Sequence, residues 1–200
     1  MIIFNYVNKY KFLLVLALLL AGSVESATLK IATLSPEGSD WMKVLRLSAK
    51  EIEEKTSGNV KLKIYPGGVM GDDKAVMRKM RIGQLQGAVL TSGGLVNSYK
   101  DIGIYGLPML FRSQAEVDLT RAQIDEVLME GLEAKGFMGF GLAGVGFAYP
   151  MSQVAATNVS EVRKMKIWTP DNDLGALTAF EAFNISPIPL PYGDVLMGLQ

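Results

Sequence analysis

The 200-residue chain contains neither cysteine nor histidine. Without cysteine there is no disulfide to hold it together, no thiolate nucleophile and no Cys-based zinc site. Without histidine the commonest general base is missing, and a Ser–His triad is excluded. Catalysis is therefore disfavoured before any motif is read. An excess of one charge is missing as well. Twenty basic residues face twenty acidic ones, so the composition does not point to nucleic acid or an anionic membrane surface as a partner. Long apolar runs are scarce. The run Phe12–Ala21 has ten residues, roughly 15 Å as a helix against a hydrocarbon core of about 30 Å.

What surrounds that run gives it a different meaning. Lys9 and Lys11 precede it, and Gly22-Ser23-Val24-Glu25-Ser26-Ala27 follows it with small residues. A basic start, a short apolar core and small residues at the cleavage positions describe a secretory signal peptide over residues 1–26. Cleavage after Ser26 places Val24 and Ser26 at the −3 and −1 positions; cleavage after Ser23 places Ala21 and Ser23 there. With no cysteine after the run, a lipid-anchored form is excluded. Loss of residues 1–26 leaves 18 basic and 19 acidic residues, a formal charge of −1. The remainder must be stabilised by apolar burial, and about 170 residues suffice for one or two small cores.

The mature start alternates like a strand over Thr28–Leu34, and Ser39 or Asp40 is placed to cap a helix over about 41–55. In that helix Trp41, Val44, Leu45, Ser48 and Ile52 form the expected inward face. Val60–Tyr65 alternates strictly over six residues. A glycine-rich loop, Pro66–Gly71, then leads into Asp72-Asp73 and a helix to about Ile82, where acidic residues suit the positive end of the helix dipole. Gly87–Thr91 reads as a short buried strand, and Ser113 caps a helix to about Ala134. The order strand, helix, strand, helix, strand predicts an α/β unit with a largely parallel sheet. Lys135–Tyr149 is apolar and glycine-rich and reads as a long strand crossing between two units. The pattern then restarts: a strand at Met165–Trp168, a helix capped by Asp171 to about Phe183, a strand at Ile185–Leu190, and a helix opening at Tyr192-Gly193-Asp194. One continuous sheet is the alternative to two lobes. The second unit is unfinished at Gln200, so the sequence is expected to be part of a longer protein.

Several motifs resolve into structural roles. Gly139-Phe140-Gly141-Leu142-Ala143-Gly144 matches G-x-G-x-x-G, but a dinucleotide site needs those glycines between a strand and a helix start. Here a helix precedes them. Asp72-Asp73 point about 100° apart on a helix and do not converge on one atom, so capping is the expected role. Asp171-Asn172-Asp173 resembles the opening of a calcium loop without its glycine and closing glutamate. Trp168 is expected at the carboxyl end of a strand, as are Thr33 and Thr91. Open α/β sheets bind ligands at those ends, and the three residues form a candidate pocket lining.

The chain also resembles a known family. Ile64-Tyr65-Pro66-Gly67-Gly68-Val69-Met70-Gly71-Asp72-Asp73, followed by Arg81-Ile82-Gly83-Gln84-Leu85, is similar to the signature region of the solute-binding proteins of tripartite ATP-independent periplasmic (TRAP) transporters. Leu107-Pro108-Met109-Leu110-Phe111 resembles their LP-x-LF segment, and Tyr192–Gln200 resembles their Y-x-E-V-x-x-x-L-Q stretch. The resemblance runs in order over residues 28–200. It implies an α/β, two-lobed periplasmic-binding-protein-like fold, with mixed sheets flanked by helices: lobe I over 27–145 and an incomplete lobe II over 146–200. It also implies a receptor that closes on a small organic acid and delivers it to membrane permease subunits driven by a sodium gradient.

Carried over residue by residue, the resemblance implies solute contacts from the loop after the first strand, Thr33 to Glu37, from Asp73 and from Thr91. The family's carboxylate-binding arginine, in K-[IL]-R-x-P, falls on Trp168 of Lys166-Ile167-Trp168-Thr169-Pro170. A second arginine, in G-F-R-Y, falls on Ala148 of Gly146-Phe147-Ala148-Tyr149. Neither replacement offers the bidentate fork of a guanidinium. A pocket with Trp168 suits a flatter, more apolar or less charged solute, with Lys166 or a backbone amide near Asp171 left to meet a carboxylate. The expected site is therefore Thr33, Glu37, Asp73, Thr91, Trp168 and Asp171, with no catalytic residue, metal or cofactor, in a periplasmic protein. The alternative is a sensor domain feeding a membrane signalling protein.

Overall fold

The computed structural model describes residues 26–198. The expected signal peptide lies outside the described residues, apart from Ser26, and no described helix is long and apolar enough to cross a membrane. Strand β1 (Ala27–Thr33) lies at the centre of a three-stranded sheet of order β2-β1-β3. It pairs in parallel with β2 (Val60–Tyr65), from Ala27↔Val60 to Ala32↔Tyr65, and with β3 (Gly87–Val89), where Thr33 faces Val89. Parallel neighbours need crossover connections, and helix α1 (Asp40–Lys55) and helix α2 (Asp73–Arg81) supply them. Both helices start where the sequence places a cap. The Ser39 hydroxyl accepts from Met42 N, and the Asp72 carboxylate accepts from Ala75 N.

Beneath the sheet, Ala32 packs with Val76 of α2 and with Leu85, and Tyr65, Met70 and Ala88 close around them. The face that α1 buries keeps Leu45 and Ile52 of the expected one but is centred on Met42 instead of Trp41 and Val44. Met42 is 1% exposed, whereas Trp41 and Val44 are 45% and 61% exposed. Met42, Leu45, Ala49 and Ile52 form a second helical stripe, offset by one position from Trp41. Amphipathic spacing allowed either stripe; docking on the sheet selects the one centred on Met42.

Thr91 caps the short helix α3 (Ser92–Val96), which leads into a 3₁₀ segment, Lys100–Gly106, and then into α4 (Gln114–Glu133), capped by Ser113 as expected. Ile102, Leu128 and Leu132 form a second core with Leu95, Tyr99 and Phe137. Gly131 is required where α4 crosses Tyr99, since a Cβ there would lie 2.2 Å from the phenol ring.

The expected crossing strand at Lys135–Tyr149 is not formed. Residues 137–150 are irregular, with Phe140 97% exposed and Val145 84% exposed. A strand requires hydrogen-bonding partners, and no described strand pairs with this segment. Gly141 and Gly146, at φ +142° and +93°, turn the backbone away from extended geometry. The segment is held instead by Arg121 of α4, whose guanidinium donates to the Leu142 carbonyl at 2.5 Å and to Asp125 at 2.9 Å.

A second parallel pair follows a short helix, α5 (Val159–Val162). Strand β4 (Trp168–Pro170) pairs with β5 (Ile188–Leu190) around α6 (Leu174–Ala182), and α7 (Val195–Gly198) follows. Two expectations shift here. Trp168 opens β4 instead of ending it, because Trp168↔Ile188 is where pairing begins and Ile167 contributes only its carbonyl to Ile188 N. The cap of α6 is Asp173, which accepts from Ala176 N at 2.9 Å, and not Asp171. A turn closed by Asp173 N on Pro170 O delays the helix by two residues and frees Asp171.

Candidate functional site

The carboxyl ends of both parallel sheets contribute to one cluster centred on Asp73. Its backbone begins α2, directly after the Asp72 cap, and its side chain turns inward until the residue is 1% exposed. Oδ2 accepts from the Thr91 hydroxyl at 2.5 Å and from the Asn172 amide Nδ2 at 3.1 Å. Oδ1 is buried and has no hydrogen-bond partner among the described residues. Burial pushes the Asp73 carboxyl above its ordinary value, while the donors Thr91 and Asn172 pull it down.

Local sequence explains why these groups meet. Thr91 follows β3 and uses one hydroxyl twice. It accepts from Gly94 N at 3.2 Å, capping α3, and donates to Asp73. Gly94 is needed for that approach, because a Cβ would lie 2.6 Å from Asp73 Oδ2. Gly93 does the same for the second unit: a Cβ there would be 2.9 Å from the Asn172 carbonyl. The Asp171-Asn172-Asp173 loop after β4 therefore lies directly on the α3 turn. A second tie runs beside the first, with Lys74 Nζ 2.5 Å from Asp171 Oδ2 and the side chains 50% and 23% exposed.

Trp168 and Tyr192 form the aromatic flank. Their rings meet edge to face at 5.5 Å and 74°, and Trp168 Nε1 donates to the Leu190 carbonyl at 3.0 Å. Burial raises the Tyr192 phenol, and the negative charges of Asp173 and Asp73 raise it further, so the phenol lies within the field of the carboxylate cluster.

Of the expected site residues, Asp73 and Thr91 touch. Asp171 lies beside them, paired with Lys74, and Trp168 packs on Tyr192, whose phenol is raised by the charges of Asp173 and Asp73. Thr33 is 4% exposed at the end of β1; its hydroxyl accepts from Ser35 N at 3.1 Å and its carbonyl from Gly68 N. Glu37 lies elsewhere. Its exposed carboxylate is forked on Arg46 at 3.0 and 2.5 Å, an ion pair that lowers its titration below the usual range. Asn172, Lys74 and the Gly93-Gly94 pair complete the arrangement without having been singled out from sequence. The only signal was a glycine pair, Gly93-Gly94, one residue beyond Thr91. The geometry brings together a buried acceptor, hydroxyl and amide donors and, nearby, an aromatic pair.

Comparison with known proteins agrees with this architecture. Residues 31–200 match the family described as bacterial extracellular solute-binding protein, family 7. The chain belongs to that family, the solute-binding proteins of TRAP transporters. It is 25% identical over 151 residues to the 2,3-diketo-L-gulonate-binding periplasmic protein YiaO of Escherichia coli K12, covering 74% of this chain and 46% of that protein. It is 25% identical over 199 residues to the sialic acid-binding periplasmic protein SiaP of Vibrio cholerae, covering 93% of this chain and 59% of that protein. Among solved structures, a TRAP periplasmic solute-binding protein of Sulfurospirillum deleyianum with bound succinate superposes with a TM-score of 0.78. It is 18% identical, and 88% of this chain covers 57% of that one. A likeness at that identity shows the fold, which is that of the TRAP periplasmic binding proteins. The chain spans about half the length of the curated relatives it matches.

Proposed function

We propose that this protein is an extracytoplasmic receptor that captures a small organic solute, an organic acid of aromatic or weakly charged character, and hands it to the membrane permease subunits of a TRAP transporter. Residues 27–145 and 146–200 act as the two lobes, and the solute lies between their strand ends. Residues 1–26 direct export to the periplasm. The observation that carries this reading is the Asp73 clasp: one buried carboxylate held by Thr91 from the first sheet and by Asn172 from the loop after the second. A side chain gripped from both sides reports on whether the lobes are together. A solute that replaces one of its partners gains contacts only in the closed state, which is the requirement for ligand-biased closure.

The family's binding proteins and the acids named with them support the solute class. Within the site, the side chains supply hydrogen bonds and aromatic surface, and the Thr91 hydroxyl is engaged both by Asp73 and by Gly94 N, so capture without conversion is the fitting chemistry. The test is thermal-shift screening of the complete exported protein against organic, keto and aromatic acids. A ligand present at 100 times its dissociation constant stabilises by about 2.7 kcal/mol. No stabilisation by any acid, or chemical turnover of a bound one, would end this reading.

A further inference from the structure

We infer that the solute carries an ammonium group and that this group seats on Asp73, displacing the Asn172 amide and filling the unpartnered Oδ1. The inference rests on the receptor reading above and specifies its solute as an amino-bearing acid.

The charge balance around Asp73 leads to it. Asp73 is a carboxylate at 1% exposure whose protein partners are both neutral, Thr91 and Asn172. A buried carboxylate without a cation is an uncompensated charge. The adjacent Lys74 does not supply one, because its Nζ is bound to Asp171. The other charged groups close to Asp73 make the deficit worse. Asp72 lies beside it in the chain and raises its titration, while Asp173 and Asp73 together raise that of Tyr192. The site therefore has a negative field, and among the described residues no cation is paired with Asp73.

Donor count points the same way. Among the described residues Oδ1 has no hydrogen-bond partner, and Oδ2 would lose one if Asn172 moved. A hydroxyl offers a single O–H, whereas an ammonium offers three N–H donors. It can meet both oxygens of Asp73 and still turn a third N–H toward the face of an aromatic ring. Trp168 and Tyr192 supply that aromatic surface, with Tyr192 50% exposed. In this structure the Asn172 amide occupies the place of the solute's donor, so the clasp and the solute compete for one carboxylate.

The test is isothermal titration of the complete protein with matched series on three skeletons. These are alanine, lactate and propionate; glutamate, 2-hydroxyglutarate and glutarate; and phenylalanine, phenyllactate and phenylpropionate. On whichever skeleton binds, the amino compound is expected to be at least tenfold tighter than its hydroxy and unsubstituted counterparts. In Asp73→Asn that preference is expected to fall within about twofold, with the variant's folding verified by its melting transition. Asn172→Ala, which removes the competitor and leaves Asp73 in place, is expected to keep the amino-over-hydroxy preference at tenfold or more, whatever its overall affinity. Equal or tighter binding of a hydroxy or plain acid would overturn the ammonium assignment while leaving the receptor reading standing. Failure of all nine compounds, with a different acid binding in the wider screen, would also overturn it. Failure of every acid would overturn both.

Discussion

The Thr91 hydroxyl and the Asp73 carboxylate lie 2.5 Å apart, joined across 18 positions of sequence. One group comes from the turn after β3 and the other from the start of α2, so this hydrogen bond fixes the carboxyl end of the sheet. It also leaves Asp73 Oδ1 buried and unused.

Thr91→Val tests the hydroxyl. The variant keeps the shape and loses both the cap on Gly94 N and the donor to Asp73. An unsatisfied buried partner costs about 1–3 kcal/mol, and a lost cap about 1 kcal/mol. Chemical denaturation is expected to show destabilisation of about 2–3 kcal/mol. A loss below 0.5 kcal/mol would show that Asp73 is satisfied by other means.

The titration of Asp73 gives a pH signature of known sign. Its folded value is raised above the ordinary 3.8 by burial. The folded state therefore holds this proton more tightly than the unfolded chain. The contribution is fully present below the unfolded value and is lost as pH rises through the folded one. Asp73→Asn is always neutral and lacks this dependence. As pH rises from the unfolded value through the folded one, wild-type stability is expected to fall relative to Asp73→Asn. Parallel stability curves for the two proteins would contradict the assignment.

Gly94→Ala tests the close approach. A Cβ would stand 2.6 Å from Asp73 Oδ2, and Asp73 is enclosed on all sides. Overpacking of this kind costs about 1–3 kcal/mol. Gly144→Ala is the control, since a Cβ there meets nothing within 4 Å, and its effect is expected within about 0.5 kcal/mol. Similar melting temperatures for the two variants would mean that the α3 turn yields freely.

The elements of the first sheet were legible because each carried its own local signal. Val60–Tyr65 alternates, and Ser39, Asp72 and Ser113 stand where helices begin. The interior face of α1 was not legible, because two helical stripes overlap and only the sheet chooses between them. The Lys135–Tyr149 segment has strand composition, yet strand formation depends on a partner that composition does not reveal. Asp73 and Thr91 were visible as strand-end and helix-start residues. Asn172 was hidden, since its importance comes from the fold bringing residues 99 positions apart into contact. The Asp171 cap was displaced by a turn two residues long, a distance at which several acidic residues compete for one helix start.

The Lys74–Asp171 pair is a weaker tie than the Asp73 clasp beside it. Lys74 is half exposed, and pairs of that kind contribute about 0–1 kcal/mol and are screened by salt. Lys74→Met is expected to lower stability by less than about 1 kcal/mol at low salt, with the difference shrinking in 1 M salt. A larger, salt-independent loss would show that Lys74 also compensates the charge on Asp73, which would weaken the case for a cationic solute.

Trp168 offers the most direct probe of solute charge. Its indole N–H is committed to the Leu190 carbonyl and its ring to Tyr192, so the side chain presents aromatic surface where the family resemblance places an arginine. Trp168→Arg introduces a rigid bidentate donor for a carboxylate beside a site whose fixed charges are largely negative. Affinity for unsubstituted carboxylates such as propionate or glutarate is expected to rise by about tenfold or more, corresponding to about 1.4 kcal/mol. Affinity for amino-bearing solutes is expected to fall by a comparable factor. Trp168→Phe separates the aromatic contribution from folding, because it keeps a ring on Tyr192 while releasing Leu190. If titration shows the same solute ranking for both variants as for the wild type, Trp168 supports the β4–β5 pair and takes no part in solute selection.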